Sequence, residues 1–427
     1  MTTLRLRLIV AVLAGSVAGL ASAQSIESDL PPGAEPHTEK PGFFVLPDHG
    51  LKRLLDSMKV TDQQDRFSAK FGLVIMPADY TSFDQDAASK EQVGNQQDTF
   101  EARSLRLMAR GHFMLFRKWN YVVSYEYKGF ANEPGDPDWA ATDFRVSTDI
   151  RRLGTLTIGK MKEPYSYEMV GDAANLPHVE RLMSPFFVSR NIGLRWNRTA
   201  AAERMTLSLG VYNDWLTTDP TWEDSGTTVT GRVTGLAWTS PSGRRFLHVA
   251  GAFRRNGADE GKLRFKGRPE SNVTDNYVDT GSIAASHANQ YGLEALWNEG
   301  PVSLTAEYDE SHVDSLETGD PQFRGWYVTG AWVVTGEHRP YDRKVGYARR
   351  VMPKGRWGAV ELIARYGLVD LTDKGIDGGY LKKWYAGVNW WANRRIRISA
   401  GYGRATLDKL GTTGYTNQYF TRVQWVY

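Results

Sequence analysis

The chain of 427 residues contains no cysteine. Disulfide bonds, thiol catalysis and cysteine-ligated metal sites are therefore excluded. The sequence also has little net charge, since 52 lysines and arginines stand against 49 aspartates and glutamates. Overall charge thus predicts no polyanionic partner such as a nucleic acid, and any electrostatic selectivity must come from where the charges lie.

Long hydrophobic runs are also missing. Outside residues 8–20, no apolar stretch approaches the roughly 20 residues of a membrane-spanning helix, and the mean hydropathy is −0.45. Aromatic residues nevertheless make up 12% of the chain, and there are 42 glycines. A membrane protein of this composition can only be a closed β-barrel, because an open sheet edge cannot face lipid.

The beginning of the sequence predicts export. Arg5 and Arg7 precede the apolar residues 8–20, and small residues at 21–23 form a cleavage site before Gln24. This is the pattern of a secretory signal peptide over 1–23. A single membrane anchor is the alternative, but the apolar stretch is short for a spanning helix.

Residues 24–64 differ from the rest of the chain. Prolines make the first part rich in turns, and Leu51, Leu54, Leu55 and Met58 then recur at helical spacing. We expect a periplasmic segment that ends in one amphipathic helix; a disordered linker is the alternative. The barrel is expected over 65–427.

The last residues show the barrel pattern most clearly. Tyr419, Val423 and Trp425 alternate with Arg422 and Gln424, as in a strand with one face on lipid and the other on water. From residue 66 onward, short connections alternate with long ones, and the predicted strands number about 16. They are 66–78, 99–115, 121–130, 141–151, 155–162, 190–199, 204–214, 229–240, 246–255, 290–298, 302–310, 323–335, 357–371, 380–392, 395–406 and 418–427.

This alternation assigns each strand a lipid face and a lumen face. The charged face must be the lumen, since an arginine at the bilayer midplane costs about 2 to 4 kcal/mol. Rings near strand ends are expected in interfacial girdles. These rings are Trp119, Tyr121, Trp357, Trp384, Trp390, Trp391, Trp425 and Tyr427. A soluble β-sandwich core is the alternative for them.

The same parity predicts a cationic lumen. The expected inward cations are Arg106, Arg110, Arg145, Arg151, Arg195, Arg365, Lys383, Arg395, Arg397 and Arg422, against Asp143, Asp149 and Glu361. Guanidinium groups suit oxyanions because each offers several fixed donors. The alternative is that these arginines pair with carboxylates across the wall and only stiffen the barrel.

One long connection, 163–189, contains three prolines and charged residues. Its composition is too structured for a floppy loop tip, and a loop of this size could fold inward and narrow the pore.

Several ordered motifs resemble the phosphate-selective porin O/P family. They are GKMKEPYSYE at 159–168, ER at 180–181, RNIG at 190–193, TGEHRPYD at 335–342, GAVELIARY at 358–366, GG at 378–379, GVNWWAN at 387–393 and RVQ at 422–424. The resemblance spans roughly residues 66–427.

This resemblance implies a 16-stranded trimeric outer-membrane channel whose third external loop folds into the pore. It also implies basic residues that lead anions to a constriction. Carried over by motif, Lys162 lies where the loop enters the lumen, and Arg181 and Arg190 follow along the same segment. The implied partners are small anions, outer-membrane lipid and lipopolysaccharide, with no cofactor and no metal.

The function that we expect is passive diffusion of phosphate or related oxyanions. A non-selective general porin is one alternative. An outer-membrane enzyme is another, but His112, His248, His287 and His338 are scattered and no nucleophile-elbow pattern occurs. A plugged receptor would need about 22 strands, for which the chain is too short.

Overall fold

The computed structural model describes residues 59–127, 139–213 and 225–426. The predicted signal peptide at 1–23 and nearly all of the predicted segment 24–64 lie outside these residues, so both stay predictions. Within the described parts, no helix is long and apolar enough to cross a membrane.

Sixteen long strands form the wall of the molecule. They are β1 (Phe67–Gln85), β2 (Ser104–Met114), β3 (Lys118–Tyr127), β4 (Trp139–Ile150), β5 (Gly154–Met161), β6 (Asn191–Ala200), β7 (Met205–Tyr212), β8 (Ser225–Thr239), β9 (Arg245–Ala258), β10 (His287–Glu299), β11 (Val302–Asp314), β12 (Gln322–Val333), β13 (Ala359–Asp373), β14 (Ile376–Trp391), β15 (Ile396–Lys409) and β16 (Thr412–Val426).

Each strand pairs antiparallel with the next, and the sheet closes on itself. β16 pairs with β1, so that Arg422 lies opposite Asp79 and Trp425 opposite Ile75. Closure leaves no free edge among these strands, as a sheet in lipid requires. The predicted fold, an antiparallel β-barrel of about 16 strands, is confirmed.

The two faces of the wall differ as the alternation predicted. On β10, Leu293 is 62% exposed and Trp297 is 42% exposed on the outer face, whereas Glu294 and Leu296 are buried on the inner face. Apolar side chains thus dominate the outer face, whereas the inner face mixes polar with apolar side chains, unlike the surface and core of a soluble protein.

The first strand is longer than predicted. β1 continues to Gln85, past the predicted strand end at residue 78, and the helix α1 (Ala87–Val93) follows, with Asp86 accepting a hydrogen bond from Ser89 N at 2.7 Å. The predicted strand 99–115 is divided into Thr99–Glu101 and β2.

The barrel sheet also starts earlier than residue 65. Lys59–Thr61 pairs with β1, so that Val60 lies opposite Ala69.

The expected alternation of short and long connections fails in the last third of the barrel. β13 and β14 meet in a two-residue turn with Lys374 at φ 51° and Gly375 at φ 79°, and β15 and β16 meet at Leu410 and Gly411, also with positive φ. Two successive positive φ values form the tight hairpin turn that matches strand twist. Conversely, the connection 334–358 is long, although it lies at the end of the barrel where the other connections are short turns.

Three long connections pack inside the barrel. They are 162–190, which contains the helix α2 (Tyr167–Val170) and the 3-10 turn Ser184–Phe186; 259–286, with the short strands Lys262–Leu263, Lys266–Gly267, Val278–Asp279 and Ile283–Ala284; and 334–358, with Tyr341–Asp342 and Tyr347–Ala348. The main hydrophobic cluster joins Phe186, Phe265 and Phe323 from two of these loops and the wall. The core of the protein therefore lies in the lumen.

Candidate functional site

Residues 162–190, called the inner loop below, run through the interior of the barrel. Arg422 on β16 donates from Nη1 to Val179 O at 2.7 Å, and Arg397 on β15 donates from Nη1 to Leu176 O at 2.6 Å. Both arginines point inward from β15 and β16, which lie on a different part of the wall from β5 and β6, the strands that flank the loop. The prediction that this loop folds into the lumen is confirmed.

The first part of the inner loop is held by the wall at β9 and β11. Glu163 Oε2 accepts from Arg254 Nε at 2.7 Å. Glu307 accepts the backbone N–H groups of Tyr167 at 2.7 Å and Glu168 at 3.2 Å. These bonds satisfy the amide groups at the start of α2, which would otherwise be buried without partners.

Arg365 on β13 is the central anchor of the loop. Its guanidinium contacts Glu168 at 2.5 Å, Glu270 at 2.6 Å and His178 at 2.9 Å, and its Cζ lies 3.8 Å from the ring centre of Tyr327. Burial raises the pKa of Glu168, but Arg365 and His178 outweigh this effect and hold that pKa at about 2. The carboxylate stays charged and fixes the loop.

The connection 334–358 meets the inner loop from the opposite end of the barrel. Arg339 pairs with Glu361 at 2.6 Å and donates to Asn175 O at 2.6 Å. Its Cζ lies 5.9 Å from the ring centre of Trp391, which is 1% exposed. The prediction that Trp391 belongs to a membrane girdle is therefore wrong, because strand parity turns this ring into the lumen.

The loop 259–286 adds a row of cations that the sequence reasoning missed. Leu263 and Phe265 are buried, and Phe265 packs on Phe323 with ring centres 5.2 Å apart. Every second residue of this stretch faces away from the wall and is exposed: Lys262, Arg264, Lys266 and Arg268. Their two-residue spacing was a readable signal.

The inner faces of β7–β16 are thus packed by the three loops, and we call them the covered wall. The inner faces of β2–β6 keep access to water, and we call them the open wall. The strand register places Arg110, Val122, Arg145, Gly159 and Gly193 in one row across the open wall. The two glycines add no side chain to this row.

Carboxylates partly neutralise the cations of the open wall. Arg106 Nη2 lies 2.9 Å from Glu126 Oε2, and Arg190 Nη2 lies 3.1 Å from Asp143 Oδ2. Arg145 Nε is 4.0 Å from Asp143 Oδ1, and its side chain is 29% exposed. One aspartate therefore lies between two arginines, and positive charge remains in excess there.

Lys162 lies where the inner loop leaves β5. Its Nζ donates to Gly171 O at 2.8 Å and lies 3.3 Å from Asp172 Oδ1. Arg195 donates from Nη1 to Lys162 O at 3.1 Å. Burial and the positive charge of Arg190 lower the pKa of Lys162, whereas Asp172 raises it, and the pKa comes to about 7.

Arg181 belongs to the inner loop, and its side chain donates hydrogen bonds to backbone carbonyl groups of the same loop. Its Nε donates to Glu168 O at 2.7 Å, and its Nη2 donates to Gly171 O at 3.3 Å. Arg395 lies in the turn between β14 and β15.

Three of the expected pore-lining arginines do not contact open water. Arg365 is 4% exposed, Arg397 is not exposed and Arg422 is 3% exposed. All three point inward as predicted, but the inner loop covers them and supplies carbonyl and carboxylate partners. For this group the alternative interpretation, arginines that hold the structure together, describes the geometry.

Sequence reasoning also missed Arg232 and Arg254. Arg232 lies 2.7 Å from Glu294 and donates to Val345 O and Gly346 O, each at 2.7 Å, so it fastens the connection 334–358. Arg232 lies between Gly231 and Val233 on a predicted strand, so the same parity rule would have found it. Arg254 adjoins Arg255, and parity alone does not choose between these two.

His112 and Ser68 approach each other at 2.7 Å on the inner face. The Ser68 hydroxyl also accepts from His112 N at 3.2 Å, and His112 Nε2 lies 2.9 Å from Asp65 O. This bonding ties β1 to β2.

Known proteins with similar sequences and folds are porins. The chain shares 29% identity over 173 residues with Porin O of Pseudomonas aeruginosa, which covers 36% of this chain and 40% of Porin O. The structure is similar to the anion-selective porin from Comamonas acidovorans, with a TM-score of 0.57, 13% identity and coverage of 84% of this chain and 100% of that one.

The trimer form of OmpT of Vibrio cholerae has a TM-score of 0.51 at 12% identity, covering 84% of this chain and 100% of that one. At these identities the structural likeness concerns the fold. The sequence model of the phosphate-selective porin O and P family matches residues 72–426. The chain therefore belongs to the phosphate-selective porin O and P family.

Proposed function

We propose that the protein is an outer-membrane porin whose water-filled channel lets small anions diffuse passively, with phosphate or related oxyanions preferred. The observation that supports this most directly is the open wall. Arg106, Arg110, Arg145, Arg190 and Lys162 converge there and outnumber the carboxylates that accompany them. A positive, low-dielectric wall raises the local concentration of anions.

The route that we propose begins at the exposed cations of 259–286 and ends at the open wall. Arg268 lies within electrostatic range of Arg103, and Lys162 within range of Arg190 and Arg181. Arginine and lysine donors along one path can exchange an oxyanion stepwise, provided no single site holds it too tightly.

A general, weakly selective porin is the second candidate. It is favoured by Glu126 and Asp143, because these carboxylates compensate Arg106 and Arg190 in the open wall.

Reversal potentials in planar bilayers distinguish these functions. With the purified protein in a potassium chloride gradient, we expect anion preference, and added phosphate should reduce the chloride current. Arg145→Glu should weaken the anion preference, whereas Arg117→Glu, in the exposed turn between β2 and β3, should change it little. Anion preference without an effect of phosphate would favour the general porin, and cation preference would exclude the anion-preferring channel.

The proposal includes a homotrimer in the outer membrane, contact with membrane lipid and lipopolysaccharide, and export by cleavage after residue 23. A trimer form among proteins of similar fold supports the first point. A trimer band on unheated detergent gels and a mature N-terminus at Gln24 are the expected results.

A further inference from the structure

We propose that Asp172 is a built-in counter-anion of the channel. Its carboxylate competes with entering oxyanions for Lys162 and so limits how tightly the channel holds them. This inference rests on the proposed anion pathway and names a residue that sets its selectivity.

The exposure of the two side chains supports this role. The Lys162 side chain is 14% exposed and the Asp172 side chain is 62% exposed, and the atoms Nζ and Oδ1 are 3.3 Å apart. The ammonium is thus recessed in the loop, whereas the carboxylate stands on its water side. An anion that approaches Lys162 meets Asp172 first.

Asp172 also lies among further cations. Its carboxylate is within electrostatic range of Arg106 and Arg190, and Arg350 from 334–358 is within range of it. Lys162 above all holds the pKa of Asp172 well below its usual range, so the carboxylate is charged at neutral pH. One negative charge therefore occupies a place where four cations would otherwise attract a solute.

The Asp172 carboxylate is not needed to hold the turn that follows it. In the described parts of the chain, Lys162 is the hydrogen-bond partner of the Asp172 side chain. The turn that follows uses the backbone instead, since Asp172 O accepts from Asn175 N at 2.8 Å and Leu176 N at 3.3 Å. By contrast, Asp143 is 17% exposed and is fixed by Arg190.

A tethered carboxylate competes less well against a phosphate ion than against chloride. Phosphate presents more acceptor oxygens to Lys162 and its neighbours than a carboxylate does, and at about pH 6, where phosphate is mainly singly charged, these oxygens give it the advantage. Asp172 thus shortens the time that any anion stays at Lys162, but it weakens the binding of oxyanions less than that of other anions. The consequence is rapid passage at modest affinity.

The test is a set of four proteins in planar bilayers: wild type, Asp172→Asn, Lys162→Gln and the double variant. The readout is the phosphate concentration that halves the chloride current, measured at about pH 6 so that Lys162 is charged. Asp172→Asn keeps the side-chain shape and the backbone bonds of the turn. We expect it to lower that concentration about threefold to tenfold and to increase anion preference.

The Lys162→Gln background should shrink this gain, because the competition acts through Lys162. Asp149→Asn is the matched control, since Asp149 is an exposed inward carboxylate of β4 whose Oδ1 accepts from Thr155 Oγ1. An unchanged half-inhibiting concentration in Asp172→Asn, or an equal change in Asp149→Asn, would overturn the inference. Cation preference of the wild type would instead refute the proposed function itself.

Discussion

The covered wall and the open wall use the same residue type for opposite purposes. On the covered wall, Arg365 and Arg397 are buried against carbonyl oxygens, carboxylates and aromatic rings of the loops. On the open wall, Arg106 and Arg145 keep about a quarter of their side-chain surface in contact with water, at 21% and 29%. An arginine buried against protein acceptors is an anchor, whereas one that keeps contact with water can bind a passing anion.

This difference also explains how a barrel of this width becomes a narrow channel. Barrels of about 16 strands leave an aqueous lumen. Here loops fill the lumen on one side, held by ion pairs whose partners are almost fully desolvated. The passage that we propose follows the side on which the wall is cationic.

The largest expected effect comes from breaking the central anchor of the covered wall. Arg365→Met would leave Glu168 and Glu270 buried without their cation, which typically costs about 3 to 5 kcal/mol. We expect a lower free energy of unfolding, protease cleavage within 162–190 and a larger single-channel conductance.

Arg324→Met is the matched control for that variant. Arg324 lies 3.5 Å from Asp370 on the outer surface and is 62% exposed, so its loss should cost at most about 1 kcal/mol. Equal stability of the two variants would show that Arg365 does not hold the inner loop.

A smaller loss of stability is expected when either of two neighbouring tryptophans, which point to opposite sides of the wall, is replaced. Trp391→Ala removes a ring beneath Arg339 and Arg397, with guanidinium distances of 5.9 Å and 5.0 Å, and should cost about 3 kcal/mol. Trp390→Ala, on the outer face, should cost less. Thermal unfolding in detergent checks the order, which would be reversed if Trp391 were a membrane anchor.

The smallest effect concerns the charge of the open wall. Because burial lowers the pKa of Lys162 to about 7, this side chain loses its proton as the pH rises through neutrality. Anion preference should therefore be greater at about pH 6 than at about pH 8, by less than twofold. Lys162→Gln should remove that pH dependence, and an undiminished pH dependence in this variant would assign it to another group.

The fold could be predicted from the sequence because the barrel pattern is local. Strand parity correctly placed Arg365, Arg397 and Arg422 on the lumen face, since successive side chains alternate between the two faces wherever the ladder is regular. The same parity, applied to Trp391, would have placed it in the lumen. Its proximity to a strand end suggested a girdle instead, and this suggestion was wrong.

The composition of the site could be predicted only in part. Lys162, Arg106, Arg145 and Arg190 were expected near the pathway and lie together on the open wall. The exposed cations of 259–286 were missed because this stretch was interpreted only as a loop between two strands.

By itself, the sequence determined the barrel, the two faces of each strand and the inward fold of 162–190, because alternation and composition act over short distances along the chain. Only the tertiary structure decided which inward arginines are anchors and which face water. That distinction depends on where loops from distant parts of the sequence place their carbonyl and carboxylate groups. Glu168 meets Arg365 and Leu176 meets Arg397 although 197 and 221 residues separate the partners in the sequence, and no local pattern encodes such contacts.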